Sequence, residues 1–481
     1  MIFRLTILFC ILALLVCLSA AVSAEESKTP TRPNIILVMS DDQGVGDVGY
    51  AGHPVLQTPH LDAGAASGLR LDSFYAAAPS CSPTRASVLT GRHPNRMGVF
   101  SWGHSIRPQE ITLAEVLKQE GYVTGHFGKW HLGSVRADSP VNPGRNGFDR
   151  WVSSENFFDQ DAKLSDQGVE TKMKGESSAV AANAAIEWIS EMATQDSPIF
   201  AVIWFGSPHL PHRADPEDSQ LYEGESKRMR EYLGEVTGVD RAFGRIRETL
   251  AELSIKDNTL LWFTSDNGAI KKVKGNAGYR GSKHKLYEGG LRVPAFIEWP
   301  NGIPQATASD VRCTTSDIFP TVLELIGSNT SELPPLDGIS LTHLFSGEMT
   351  SRPTPIGFWN AGIPGKFTNP AGPISKALPT KLHWSEGRIE RSTKRAEKLP
   401  DSNRFAKRFK GHSAWISGDW KLHRISNGEG ERANFELYNL KNDPGERSEL
   451  SGNYPEMVKD LNSELQVWLE SVATSYEGQD Y

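Results

Sequence analysis

The sequence is short of three things: cysteine, apolar runs of membrane length, and any surplus of positive charge. Its 481 residues hold four cysteines, Cys10, Cys17, Cys81 and Cys313. The first two fall in a leader-like stretch. A processed chain would keep two, enough for one pair and too few for a disulfide framework. Outside that stretch no segment is long and apolar enough to span a bilayer. The net charge of −7 excludes a general polyanion binder. No nucleic-acid partner is therefore expected, and any anion selectivity must be local. There is no internal repeat beyond a recurring pattern of a buried strand followed by acids.

With 38% hydrophobic and 23% charged residues, the composition is that of a globular chain, and the length allows two to three domains. Met1–Ala24 reads as a secretory signal. Arg4 supplies the positive start, Leu5 to Leu18 the apolar core, and Val22-Ser23-Ala24 a small-residue cleavage site. Glu25-Glu26 follow at once, which favours cleavage over retention as an anchor. Val16 before Cys17 argues against a lipoprotein. The expected destination is an exported compartment (periplasmic, extracellular or lysosome-like), with no membrane attachment after cleavage.

Asn34–Ser40 and Thr259–Ser265 are apolar runs of strand length, as in parallel strands buried on both faces. Tyr122–Gly128 and Phe200–Gly206 are two more. Between them lie helical patterns: Thr112–Gln119 with a Thr112/Glu115 capping box, Ser178–Ala193, and Tyr232–Leu253 with a stripe of Val236, Val239, Phe243, Ile246 and Leu250. This alternation predicts an α/β fold, a large mostly parallel sheet sandwiched by helices. Ser316–Gly327 reads as a helix closing the large domain. Ser413–Ile416, Trp420–Arg424 and Glu436–Asn439 predict a small C-terminal antiparallel sheet, and Pro455–Val472 a terminal helix. The expected domains are 25–352, catalytic, and 353–481, a C-terminal subdomain that includes a basic loop at 363–410.

Polar groups gather at the strand ends. The first run ends in Asp41-Asp42 and the fourth in Asp266-Asn267. Adjacent acids are costly to bring together without a cation, although a solvated turn is the plain alternative for either pair alone. Three carboxylates and an amide oxygen at the carboxyl edge of one sheet are hard ligands, suited to Ca²⁺ or Mg²⁺. Lys129 and His131, two apart, would share one side of an extended segment. His209 lies just past its strand, whereas His126 and His212 read as structural. In the glycine-rich stretch 279–294, Lys283 is the cation best placed to hold an anion. Finally, Ser82 reads as an N-cap and Pro83 as a first helical residue, with Cys81 just before a helix start that favours anions and Arg85 one turn in.

The order Cys81-Ser82-Pro83-Thr84-Arg85, followed by Leu89-Thr90-Gly91-Arg92, resembles the signature of type I sulfatases of the alkaline phosphatase superfamily. Asp41-Asp42, Gly128-Lys129-Trp130-His131, Ser207-Pro208-His209, Asp266-Asn267, and Lys283 ahead of Glu288-Gly289-Gly290 extend it over nearly the whole mature chain. The resemblance implies an alkaline-phosphatase-like fold and hydrolysis of sulfate esters. It implies that a formylglycine-generating enzyme oxidises Cys81 to formylglycine, whose hydrated aldehyde is the nucleophile, steadied by Arg85. Asp41, Asp42, Asp266 and Asn267, completed by the converted Cys81, would bind one Ca²⁺ (Mg²⁺ is possible). Cys313 is then a free buried thiol.

Physical chemistry suggests how those residues would divide the work. Cations must spread the charge of a sulfate ester, a part for Arg85, Lys129 and Lys283. Asp266 would take the nucleophile's proton, His209 or Lys283 would protonate the leaving alcohol, and His131 would deprotonate the second hydroxyl to expel sulfate. A sulfated small molecule or glycan is the expected substrate, its alcohol half held by loops 134–176, 210–230 and 360–412. The basic stretch reads first as a solvated loop; the alternative is a basic rim that recruits an anionic polymer, with Trp384 and Trp359 as sugar-stacking faces nearby. Two rivals are a formylglycine-dependent phosphodiesterase or phosphonate hydrolase, and a non-catalytic binder of sulfated glycans.

Overall fold

The computed structural model describes residues 32–328, 333–365, 409–428 and 432–480. The expected signal segment and most of the basic stretch, with Trp384, lie outside the described residues. Among the described residues no helix is long and apolar enough to cross a membrane.

Four strands make the middle of a ten-stranded sheet: β1 (Asn34–Ser40), β2 (Val123–Lys129), β3 (Ile199–Trp204) and β4 (Thr259–Ser265). They lie in the order β4-β1-β3-β2, and Arg150–Ser154 continues beyond β2, all five parallel. Past β4 come Phe296–Glu298, antiparallel to it, then Leu69–Leu71 and Thr307–Ser309. Past Arg150–Ser154 the hairpin Lys163–Asp166 and Val169–Lys172 is antiparallel. The sheet is therefore mixed at both flanks and parallel where the chemistry lies.

β1 shows why its sequence is a continuous apolar run. Ile35, Leu37 and Met39 enter one core cluster, and Ile36 and Val38 the cluster on the opposite face. Side chains alternate along a strand, so both faces must be apolar. Two helices cover the Ile36 face, Ser177–Met192 and the longer Lys227–Glu252. The latter buries the whole expected stripe, and it begins five residues before the expected start because Ser226 caps it, accepting from the Met229 N–H. The Leu113–Gln119 helix carries the expected capping box between Thr112 and Glu115.

The C-terminal sheet is antiparallel, in the order Ile356–Asn360, Gly411–Ser417, Trp420–Ser426, Asn434–Asn439. The helix Pro455–Tyr476 lays Leu461, Leu465, Leu469 and Val472 against Trp415, Leu422 and Leu437. The first of these strands was not expected from sequence. Its five residues mix glycine and asparagine with apolar residues, and show no clean alternation.

Candidate active site

The site is built where β1 and β4 end. Their register pairs Asn34 with Thr259 through to Ser40 with Ser265, so Asp41-Asp42 and Asp266-Asn267 leave the sheet side by side. Asp42, with φ 68°, turns the chain sharply and donates its backbone N–H to Asp266 Oδ1 at 3.1 Å. All four residues are buried.

The helix Cys81–Thr90 delivers the cysteine to this edge. It starts earlier than the sequence suggested. Ser80 occupies the N-cap position and Cys81 is the first helical residue, because the Ser82 hydroxyl accepts from the Gly103 N–H at 2.9 Å instead of capping. Pro83 is still accommodated, since first-turn N–H groups have no partner within the helix. Cys81 Sγ lies 3.5 Å from Asp41 Oδ1 and 4.0 Å from Asp42 Oδ1. Burial and the Asp266 carboxylate push its thiol well above the ordinary range. As a plain cysteine it would stay protonated, a poor nucleophile.

Three cations face the acids. Arg85 donates to Asp266 Oδ2 at 2.8 Å and to the Lys129 carbonyl at 3.1 Å, with Trp204 under its guanidinium at 5.1 Å. Lys129 donates to Asp41 Oδ2. Lys283 donates to both oxygens of Asp42, at 2.5 and 2.8 Å, and lies 3.4 Å from Cys81 Sγ. These contacts set the charges. Burial and Asp266 push Asp41 up to about 7 against the pull of Lys129 and Arg85. Burial would raise Asp42 too, but Lys283 and His209 hold it well below the usual carboxylate range.

The histidines complete the wall. His131 does reach the site, but not by strand alternation. β2 ends at Lys129, and His131 takes φ 55°. It is buried, its two ring nitrogens have no hydrogen-bond partner among the described residues, and burial with Lys129 and Arg85 lowers its pKa well below the ordinary value. His209 Nε2 lies 3.7 Å from Asp42 Oδ2, and its Nδ1 is 2.6 Å from the Leu210 carbonyl. A carbonyl can only accept, so Nδ1 carries the hydrogen and Nε2 the lone pair. Burial and Lys283 lower this imidazole to about 3. His126 instead bonds Ser153 Oγ at 2.7 Å among Trp130, Phe148 and Trp204, and His212 pairs with Glu235 at 3.2 Å.

The oxygen donors at this edge suit a hard divalent cation. Ligand atoms of Asp41, Asp42, Cys81 and His209 all lie within 4.8 Å of one another. Asn267 donates Nδ2–H to Asp42 Oδ1 at 2.8 Å while its buried Oδ1 has no partner among the described residues, an orphaned acceptor among acids that a cation would satisfy. Asp266 stands just outside the tightest group, its oxygens engaged by Arg85 and the Asp42 N–H.

Sequence reading missed Phe157, whose ring stacks on His209 at 4.2 Å, and Trp204 beneath Arg85. Phe157 belongs to an Asn-Phe-Phe run in a polar loop, a faint signal. Trp204 is indistinguishable in sequence from any other core residue of its strand.

A sequence model of the family described as Sulfatase matches residues 33–328. The chain is 34% identical over 379 residues to the N-acetylgalactosamine-6-sulfatase of Canis lupus familiaris, covering 71% of each chain. It is 31% identical to the ulvan-active sulfatase of Formosa agariphila, over 71% of this chain and 70% of that one. The crystal structure of Ps i-CgsB in complex with k-i-k-neocarrahexaose superposes with a TM-score of 0.74 and 25% identity, covering 92% of this chain and 93% of the other.

Proposed function

Because the chain belongs to the sulfatase family, as a type I sulfatase of the alkaline phosphatase superfamily that hydrolyses sulfate esters, we propose that it acts on sulfated carbohydrates through a formylglycine made from Cys81 and a Ca²⁺ held beside it. The observation that carries this reading is the convergence of Cys81 Sγ, two strand-end carboxylates and Lys283 within hydrogen-bond reach of one another. Several relatives support the carbohydrate half, being named for N-acetylgalactosamine-6-sulfate or ulvan or solved with k-i-k-neocarrahexaose, although a steryl-sulfatase is also among the relatives.

Asp41, Asp42, Asp266 and Asn267 would hold the ion, which supplies charge neutralisation and a lowered pKa for a hydroxyl beside it. Converted and hydrated, Cys81 would supply two hydroxyls on one carbon, one to attack sulfur and one whose deprotonation ends the cycle. Arg85, fixed by Asp266 and the Lys129 carbonyl, orients that side chain. Lys129 and Lys283 present ammonium groups to the sulfate oxygens, where charge shifts as the S–O bond breaks. His209 is held by its Nδ1–H so that Nε2 faces the leaving oxygen. With a lone pair on Nε2, His209 could hand over a proton only after taking one up, so Lys283, already an ammonium, is the group that holds one ready for the leaving alcohol. His131 is neutral and, among the described residues, has no partner for either nitrogen, which suits a base awaiting the second hydroxyl.

The test is ion chromatography of sulfate and phosphate released from sulfated mono- and oligosaccharides, an aryl sulfate and a phosphodiester. The enzyme should come from a host able to convert the cysteine, and the mass of the Cys81 peptide should be read alongside. Sulfate release from the sugars, lost in Cys81→Ala, is expected. An active enzyme whose Cys81 peptide keeps the thiol mass would overturn the formylglycine reading. Activity on the aryl sulfate alone would overturn the carbohydrate one.

A further inference from the structure

Lys283 and Asn267 sit on backbone that is itself held by one short helical turn, Glu288–Leu291. The Gly289 N–H donates to the Arg280 carbonyl at 2.7 Å, and the Gly290 carbonyl accepts from the Gly268 N–H at 3.1 Å. The Lys283 N–H donates to the Ala269 carbonyl at 3.0 Å, and the neighbouring His284 N–H to the Pro79 carbonyl at 2.8 Å, two residues before Cys81. These approaches exclude side chains. A Cβ on Gly290 would lie 2.1 Å from the Lys285 carbonyl oxygen, and one on Gly268 2.2 Å from that of Gly289.

What fixes the turn comes from the C-terminal sheet. Lys421, fully buried on Trp420–Ser426, donates to Glu288 Oε1 at 2.8 Å and lies 3.0 Å from Glu446 Oε1. Glu446 Oε2 accepts the Glu288 backbone N–H at 2.6 Å, and its Oε1 is 2.7 Å from His423 Nε2. Tyr75 donates to Glu288 Oε2 at 2.8 Å. A fully buried ion network is costly to assemble, and apolar packing would serve stability as well or better. Its benefit here is geometric, because directional bonds fix both the side chain and the N–H of the residue that starts the turn.

We propose that Lys421 and Glu446 are positioning residues for Lys283, so that the C-terminal sheet is a working part of the catalytic centre and not only a buttress. This rests on the reading that Lys283 serves sulfate-ester cleavage. Lys421→Met would leave two carboxylates facing each other and let the turn, and with it the Lys283 segment, drift. Misplacement of a reacting group by about an ångström can cost on the order of 100-fold in rate.

The experiment is a double-mutant cycle on the full, converted chain. An aryl sulfate with a good leaving group keeps slow variants measurable. Turnover, KM and Tm would be read for wild type, Lys421→Met, Lys283→Ala and the double variant. Lys421→Met should lower kcat by roughly tenfold to a hundredfold with KM little changed. In the Lys283→Ala background it should change kcat less than about twofold while lowering Tm as much as before. Should Lys421→Met fail to fold, the charge-balanced Lys421→Met/Glu288→Gln pair takes its place in the cycle. A full, additive loss of kcat in both backgrounds would overturn the positioning role and leave the sulfatase reading of Lys283 standing. A Lys283→Ala enzyme with wild-type turnover would overturn both.

Discussion

At the scale of single residues, His131 and Asp47 carry the sharpest expectations. His131 is buried, and among the described residues neither ring nitrogen has a hydrogen-bond partner, so both stay available to a ligand. His131→Ala should lower sulfate turnover by about 10²- to 10⁴-fold. If it acts in the second half of the cycle, rapid mixing should give a burst of one alcohol per enzyme while sulfate lags. Equal slowing of both products would refute that timing. Asp47 lies outside the chemistry, where burial pushes its carboxyl up to about 7 although Tyr232 and the Gly44 N–H bond it. A folded-state pKa above the unfolded one means the native protein holds the proton longer. The stability that Asp47 contributes is therefore fully present below about pH 4 and is lost as pH rises toward 7, by at most about 1.4 kcal/mol per unit. Asp47→Asn should flatten that decline in urea titrations run across this range. The candidate site was legible where chemistry demands residue types at strand ends, as at Asp41, Asp42, Asp266 and Asn267. It was illegible where distant chain segments supply the contact. Nothing in the order Trp420-Lys421-Leu422 says that the lysine is buried against an acid 133 residues away.

Elements were legible in proportion to how much of their own burial they display. β1 and β4 are seven-residue runs buried throughout, and their bounds follow directly from the apolar stretch. Leu69–Leu71 and Phe296–Glu298 have three residues each, too few for any period to show, and only the neighbouring strands make them strands. The start of the cysteine helix was misplaced because a serine can cap its own helix or serve a distant N–H. Ser82 does the second. In the covering helix Lys227–Glu252, Phe243 meets Phe263 and Phe296 with ring centroids 5.4 Å apart in both pairs. Phe243→Ala should cost about 3–5 kcal/mol in chemical denaturation. At the tight turn, Gly290→Ala meets two carbonyl oxygens, at 2.1 and 2.5 Å, so backbone must move. A loss of about 1–3 kcal/mol is expected, with turnover falling further than stability alone explains.

For the whole molecule, the acids at the sheet edge and the C-terminal half are two ends of one mechanical chain. Arg96 grips Asp337 and the hydroxyls of Ser471 and Ser475 on the terminal helix, while Lys421 grips Glu288. Any ion bound by Asp41 and Asp42 should thus stabilise the entire fold, since it binds the native state alone. A chelator should lower Tm by a few degrees, added Ca²⁺ should restore it, and Asp42→Asn should abolish the response. An unchanged Tm would count against a Ca²⁺ site there. Every residue of the helix that begins with Cys81 is buried, the cysteine itself to 1% exposure. No enzyme could grasp that segment once the sheet has closed over it. On the formylglycine reading proposed above, the converting enzyme would have to meet Cys81 before the fold closes. On that reading, a molecule that folded first would keep its thiol, however correct its shape.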